Sequence, residues 1–124
     1  MNADKQQCEL NPDSEFIELA VEIFAILADP TRVRIVLALR SAAEMSVNHL
    51  ADTVDKSPAA VSQHLAKLRL ARMVTTRQDG TRVFYRLADE HVSDLVTDAI
   101  KQAEHSVAHG RVPRHHHNQI ETVE

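Results

Sequence analysis

One cysteine, Cys8, stands among the 124 residues. No disulfide can form within a chain, a thiol-pair redox switch is excluded, and a reducing cytoplasm is the expected setting. Aromatic residues are few: three Phe, one Tyr and no Trp. The apolar content is mostly Ala, Val, Leu and Ile, which suits closely packed helices. No run approaches the roughly 18 apolar residues of a membrane span, so none is expected. Residues Met1–Asn11 lack the basic-then-apolar order of a secretory signal. No internal repeat is visible. A metal-dependent hydrolase is not expected either, because the chain has no His-Glu-x-x-His helix or other compact ligand set beside a general base. The length allows one domain with a modest core, or a small protomer that completes its core by dimerising.

Charge is present in quantity but unevenly placed. The chain is net −4, yet Lys56, Lys67, Arg69, Arg72, Arg77, Arg82 and Arg86 fall in one segment whose lone acid is Asp79. That segment carries +6, against −6 for residues 1–29, 0 for 30–55 and −4 for 87–124. A basic block in an acidic chain is the electrostatic footprint of a surface that meets phosphate. A solvated basic face without a partner would carry the same charge, so local structure has to decide.

The apolar pattern predicts a mainly α chain in the order helix, helix, helix, helix, hairpin, helix. Residues 13–28 place Phe16, Leu19, Ala20, Ile23, Phe24 and Leu27 on one helical stripe, with Asp13 or Ser14 as cap. Asp29-Pro30 ends that helix, because a residue before proline avoids the α region. Pro30 suits the first turn of the next helix, Thr31–Ser41, with Val33, Ile35, Val36, Leu37 and Leu39 as core candidates. Ser46 caps a short helix through Val47, Leu50, Ala51 and Val54. After a break at Asp55-Lys56-Ser57, Ser57 caps a fourth helix with Pro58 in its first turn. It runs to about Arg72, with Val61, Leu65 and Leu68 inward.

A short helix, a three-residue turn and a second capped helix make a helix-turn-helix. The outer face of the second helix carries Ser57, Ala59, Ser62, Gln63, Ala66 and Lys67. Its small and hydrogen-bonding side chains suit the major groove, where Ser, Gln and the neighbouring His64 can read base edges. Residues 73–77 and 81–86 then form β-branched and aromatic runs around Gln78-Asp79-Gly80, a hairpin pattern. Alternation puts Val83 and Tyr85 on one face, and Arg82, Phe84 and Arg86 on the other. A hairpin after a helix-turn-helix is a wing, whose Arg77 and Arg82 are expected to contact DNA backbone or the minor groove. The last helix, 89–108, packs through Val92, Leu95, Val96, Ala99, Ile100 and Ala103. The stripes of the first and last helices exceed what so short a chain can cover, which points to a homodimer. The domain layout is then a flexible tail at 1–12, a winged helix-turn-helix at 13–108 and a His-rich flexible tail at 109–124.

Leu27-Ala-Asp-Pro-Thr-Arg-Val-Arg-Ile35, Ser57-Pro-Ala-Ala-Val-Ser-Gln-His-Leu-Ala-Lys-Leu68 and Phe84-Tyr-Arg-Leu87 together resemble the ArsR/SmtB family of winged-helix repressors. The resemblance covers about residues 14–108. It implies a cytoplasmic homodimer paired through its first and last helices, a near-palindromic double-stranded operator, and release when an inducer binds, usually a metal ion. The Cys-x-Cys by which some members sense soft metals or thiol chemistry is absent, since Ser46 and Asn48 stand in its place.

Six of the eight histidines fall in residues 91–117, and the last helix offers His91, Glu104 and His105. His91 and His105 lie about 21 Å apart along one helix, too far for one ion, so a shared site requires antiparallel pairing of two protomers. Zinc sensors of the family often carry Asp-x-His early in this helix and two His near its end. Asp89 and His91 match, but Gln102 stands where a later His would be. Glu44-Met-Ser-Val-Asn48, Glu90-His-Val92, Ala103-Glu-His105 and Pro113-Arg-His-His116 instead resemble the nickel/cobalt-sensing KmtR-type branch. That resemblance implies His91, Glu104, His105, His115 and His116 as ligands, with the choice among His109, His115, His116 and His117 open. Imidazole with carboxylate suits borderline ions, and five or more N/O donors favour octahedral Ni(II) or Co(II) over four-coordinate Zn(II). The alternatives are a zinc sensor using Asp89, His91 and His105, and a DNA-binding regulator without metal response.

Overall fold

The computed structural model describes residues 10–110. Helices α1 (Ile17–Leu27), α2 (Pro30–Ala42), α3 (Val47–Val54) and α4 (Pro58–Leu70) precede a hairpin of β1 (Val74–Asp79) and β2 (Arg82–Leu87). Helix α5 (Glu90–Ala108) closes the order, which is the one the apolar pattern predicts. Cys8, His115, His116 and His117 lie outside the described residues, as does most of each expected tail.

Most helix starts follow from local chemistry. The side chain of Ser46 accepts from the N–H of His49 at 3.2 Å, and that of Ser57 from the N–H of Ala60 at 3.1 Å. Asp29 caps α2 by accepting from the N–H of Arg32 at 3.0 Å, with Pro30 in the first turn. This bond is the main reason the Asp29 carboxyl lies below its ordinary pKa, although partial burial opposes the shift. The start of α1 departs from expectation. Asn11 and Ser14 accept from the N–H groups of Asp13 and Phe16, closing turns ahead of the helix. Such local bonds offer the backbone an alternative to helix, and α1 begins only at Ile17, behind an uncapped Phe16.

Helix α4 ends at Leu70 rather than Arg72, because Arg72 adopts a left-handed φ of 62°. The N–H of Arg72 then reaches the Arg69 carbonyl, and that of Met73 the Leu68 carbonyl, in a Schellman closure. Asp55, at φ 58°, closes α3, where its own N–H and that of Lys56 both reach the Ala51 carbonyl, and sets the turn into α4. The hairpin is antiparallel from Val74↔Leu87 to Asp79↔Arg82. Its turn is therefore Gly80-Thr81, and Gln78 and Asp79, expected in the turn with Gly80, belong to β1. Gly80, at φ 66°, supplies the positive φ of a two-residue hairpin turn. Met45, in the α2–α3 connection, exchanges both backbone hydrogen bonds with Tyr85, at 3.0 and 2.8 Å.

The core sits where α2, α3 and α4 meet the base of the hairpin. Ile35, Val36, Leu39, Leu50, Val61, Leu65, Leu68 and Val74 are buried, with Val92 and Val96 of α5 packed alongside. Helix α1 buries none of its residues fully. Ile23, Ile26 and Leu27 lean on the core, whereas Phe16, Leu19 and Phe24 stay at least half exposed. Phe24, Leu27, Ala28 and Val33 face Leu95, Ala99 and Ala103 of α5 across an open apolar groove of about 310 Å³.

Two outcomes follow. Leu65→Ala, at a fully buried site, is expected to cost about 2–5 kcal/mol in urea unfolding at fixed protein concentration. Asp29→Ala is expected to cost about 1 kcal/mol near neutral pH. A carboxylate whose pKa is lowered on folding contributes above its unfolded pKa and loses that contribution as pH falls. The Asp29→Ala deficit therefore shrinks in acid, which unfolding at pH 7 and pH 3 would reveal.

Candidate nucleic-acid interface and metal-ligating residues

Burial of Val61, Leu65 and Leu68 turns the opposite side of α4 outward. Ser62, Gln63, Ala66 and Lys67 are exposed there, following Ser57 and Ala59 at the helix start. Ser57 spends an oxygen lone pair on the cap, and its hydroxyl hydrogen is still available to donate. His64 sits differently from its neighbours. It is half-buried against α2, with Nδ1 2.9 Å from Nη1 of Arg32 and 3.9 Å from the Asp29 carboxylate.

On the wing, Arg77 and Phe84 are cross-strand partners. The Arg77 and Arg82 guanidinium carbons lie 4.8 and 5.0 Å from the Phe84 ring centroid, so one aromatic ring orients both cations. Arg77 also donates twice to the Glu44 carboxylate, at 3.0 and 2.7 Å. That bidentate contact holds the Glu44 carboxyl below its ordinary pKa and raises the Arg77 guanidinium. The sequence pattern offers no hint of the pair, whose members are 33 residues apart. It also passes over Arg69 and Arg72 as individual contacts. Both line grooves between α4 and the wing, one bordered by Ser62 and Tyr85, the other by Thr75 and Thr76.

Helix α5 carries three of the five expected ligands, His91, Glu104 and His105, on exposed positions. His91 is in its first turn, and Glu104 and His105 are in its last turns, so one protomer cannot bring them together. Asp89 is the helix cap, its Oδ1 accepting from the N–H of His91 at 2.9 Å. His109, the residue after the helix, lies with its ring centroid 4.2 Å from that of His105. Among the described residues no three His, Cys, Asp or Glu side chains are grouped to hold an ion. The donor types nonetheless fit a borderline divalent metal: imidazole with carboxylate, at the two ends of the helix. Completing a coordination shell requires a second protomer or residues beyond Gly110.

A helix-turn-helix whose second helix has a polar outer face, followed by a basic wing, is the architecture of a winged helix-turn-helix DNA-binding protein. The family model for bacterial regulatory proteins of the arsR family matches residues 29–76. The HTH-type transcriptional regulator KmtR of Mycobacterium tuberculosis is 55% identical over 105 residues, covering 85% of this chain and 78% of that protein. The HTH-type transcriptional repressor SmtB of the same organism is 40% identical over 92 residues, covering 74% and 67%. The solution structure of a homodimeric winged helix-turn-helix DNA-binding domain from Mycobacterium bovis, Mb0332, shares the fold. Its TM-score is 0.69 at 23% identity, covering 84% of this chain and 95% of that one. The chain belongs to the ArsR/SmtB family, as a winged helix-turn-helix transcriptional repressor similar to KmtR. No described helix is long and apolar enough to cross a membrane.

Two substitutions separate grip from reading. Lys67→Ala is expected to weaken binding evenly across DNA sequences and to reduce the salt slope by about one. Gln63→Ala is expected to cost about 1–3 kcal/mol at one base-pair position, with the salt slope unchanged. Fluorescence-anisotropy titrations on operator variants at several salt concentrations would check both.

Proposed function

We propose that this protein holds operator DNA as a homodimer and releases it on binding Ni(II) or Co(II). The observation that carries the proposal is the combination on α5 of an uncovered apolar stripe and histidine-carboxylate donors at both helix ends. An antiparallel α5 pair would cover Leu95, Ala99 and Ala103 and set His91 of each protomer near Glu104 and His105 of its twin. The bound ion would supply a fixed point across the two-fold axis, with His91, Glu104 and His105 as its helical ligands. The His105–His109 pair favours His109 among the further donors, and His115 and His116 follow it in the chain.

DNA contact falls to Ser57, Ser62, Gln63 and Lys67 in the major groove, with Arg77 and Arg82 alongside. Two such heads on a two-fold axis require half-sites about 34–36 Å apart, hence a near-palindromic operator. Closing the α5 donors changes the angle between heads, and a fixed operator spacing tolerates only one angle. Linkage makes the effect reciprocal, with DNA weakening metal binding by the same factor, typically about 5–150-fold. Imidazole must be neutral to coordinate, so the response weakens in acid.

Operator titration with and without Ni(II), Co(II) and Zn(II) tests the proposal. Ni(II) or Co(II) is expected to weaken DNA binding by at least about fivefold. The response is expected to vanish in the His91→Ala/His105→Ala double variant, with apo affinity retained. Unchanged DNA affinity in every metal would leave a repressor without metal response. A four-coordinate optical spectrum for the Co(II) form, lost in Asp89→Ala, would favour a zinc sensor.

A further inference from the structure

We propose that His64 is a positioning residue that ties the recognition helix to the end of α1, and does not itself touch DNA. The proposal rests on α4 being the DNA-reading helix. The tie runs through one guanidinium. Arg32, in the first turn of α2, donates from Nε to the carbonyl of Ile26 at 2.6 Å, and its Nη1 lies 2.9 Å from Nδ1 of His64. Ile26 is in the last turn of α1, where carbonyls lack helical partners and a cation is favoured. A guanidinium can only donate, so His64 must accept, which assigns its ring the neutral tautomer protonated at Nε2. Asp29 accompanies the pair, its Oδ2 bonded to the Arg32 N–H and 3.9 Å from His64 Nδ1.

Three helices thus meet on one planar, rigid group. The side chain of His64 is 22% exposed, whereas Ser62, Gln63 and Lys67 on the same helix are exposed. Its Nδ1 is already committed, in a contact between half-buried groups. Helix α1 is also the helix whose outer face is apolar and borders the α5 groove. A shift of α1 against α5 is therefore passed to the recognition helix through a charged hydrogen bond. Without the tie, α4 samples orientations that do not fit the groove, and apparent affinity falls with the competent fraction.

The test uses the full-length protein and an operator duplex selected in vitro from random sequence. Failure to enrich any duplex would overturn the DNA-reading assignment, and this proposal with it. With an operator in hand, His64→Ala is expected to weaken binding about tenfold, the scale of one hydrogen bond to a charged group. The loss should be uniform across single-base-pair operator variants, with the salt slope unchanged. His64→Asn, whose amide oxygen can stand in for Nδ1, should restore most of the affinity. Arg32→Lys, which cannot make both directed bonds, should weaken binding similarly, and the double variant His64→Ala/Arg32→Lys should be no weaker than either single one. A penalty confined to one base pair would make His64 a base reader, and a salt slope reduced by about one would make it a phosphate contact. Either result, wild-type affinity in His64→Ala, no rescue by Asn, or additive losses in the double variant would overturn the proposal.

Discussion

Val61, Leu65 and Leu68 commit one side of α4 to the core, and the surface proposed to meet DNA is what that commitment leaves over. A helix has only one circumference, so three buried apolar residues at helical spacing determine which side chains face solvent. The left-handed closure at Asp55 and the Ser57 cap fix where the helix begins. Packing thereby decides which residues are exposed, and capping decides how far along the groove they reach. Function at this surface depends on apolar contacts that never approach the ligand.

The electrostatics are arranged on the same frame. The basic block is divided between α4 and the wing, and the structure partly neutralises one of its members. Glu44 accepts two hydrogen bonds from Arg77, while the Phe84 ring lies against the Arg77 and Arg82 guanidinium groups. An exposed ion pair adds little to stability. Its effect here is to hold a long side chain in one place, so that less rotamer entropy is lost when the wing meets a partner.

Much of this was legible in the sequence. Element order, the Ser46 and Ser57 caps, the Val61-Leu65-Leu68 core face and the uncovered stripes of α1 and α5 all follow from local periodicity and capping chemistry. The α1 start was not legible, because Asn11 and Ser14 offered side-chain acceptors that competed with the helix. The hairpin closed at Gly80-Thr81 and not across Gln78-Asp79-Gly80, since Asp-Gly predicts a turn without specifying which pair sits at its centre. The partners of His64 and Arg77 were hidden for a different reason. Both contacts join residues more than 30 positions apart, and only tertiary packing brings them together.

The Met45–Tyr85 exchange carries a consequence for control. Two backbone hydrogen bonds lock the wing to the connection between α2 and α3, and β2 therefore moves with the helices that frame the core. The wing has no independent hinge at that point. In the proposed dimer, each DNA-reading head would act as a stiff lever with its fulcrum at the α1 and α5 end of the molecule. A small rotation there would be amplified by the length of the arm at the DNA, so the proposed sensor at the fulcrum would need little motion to misalign the pair.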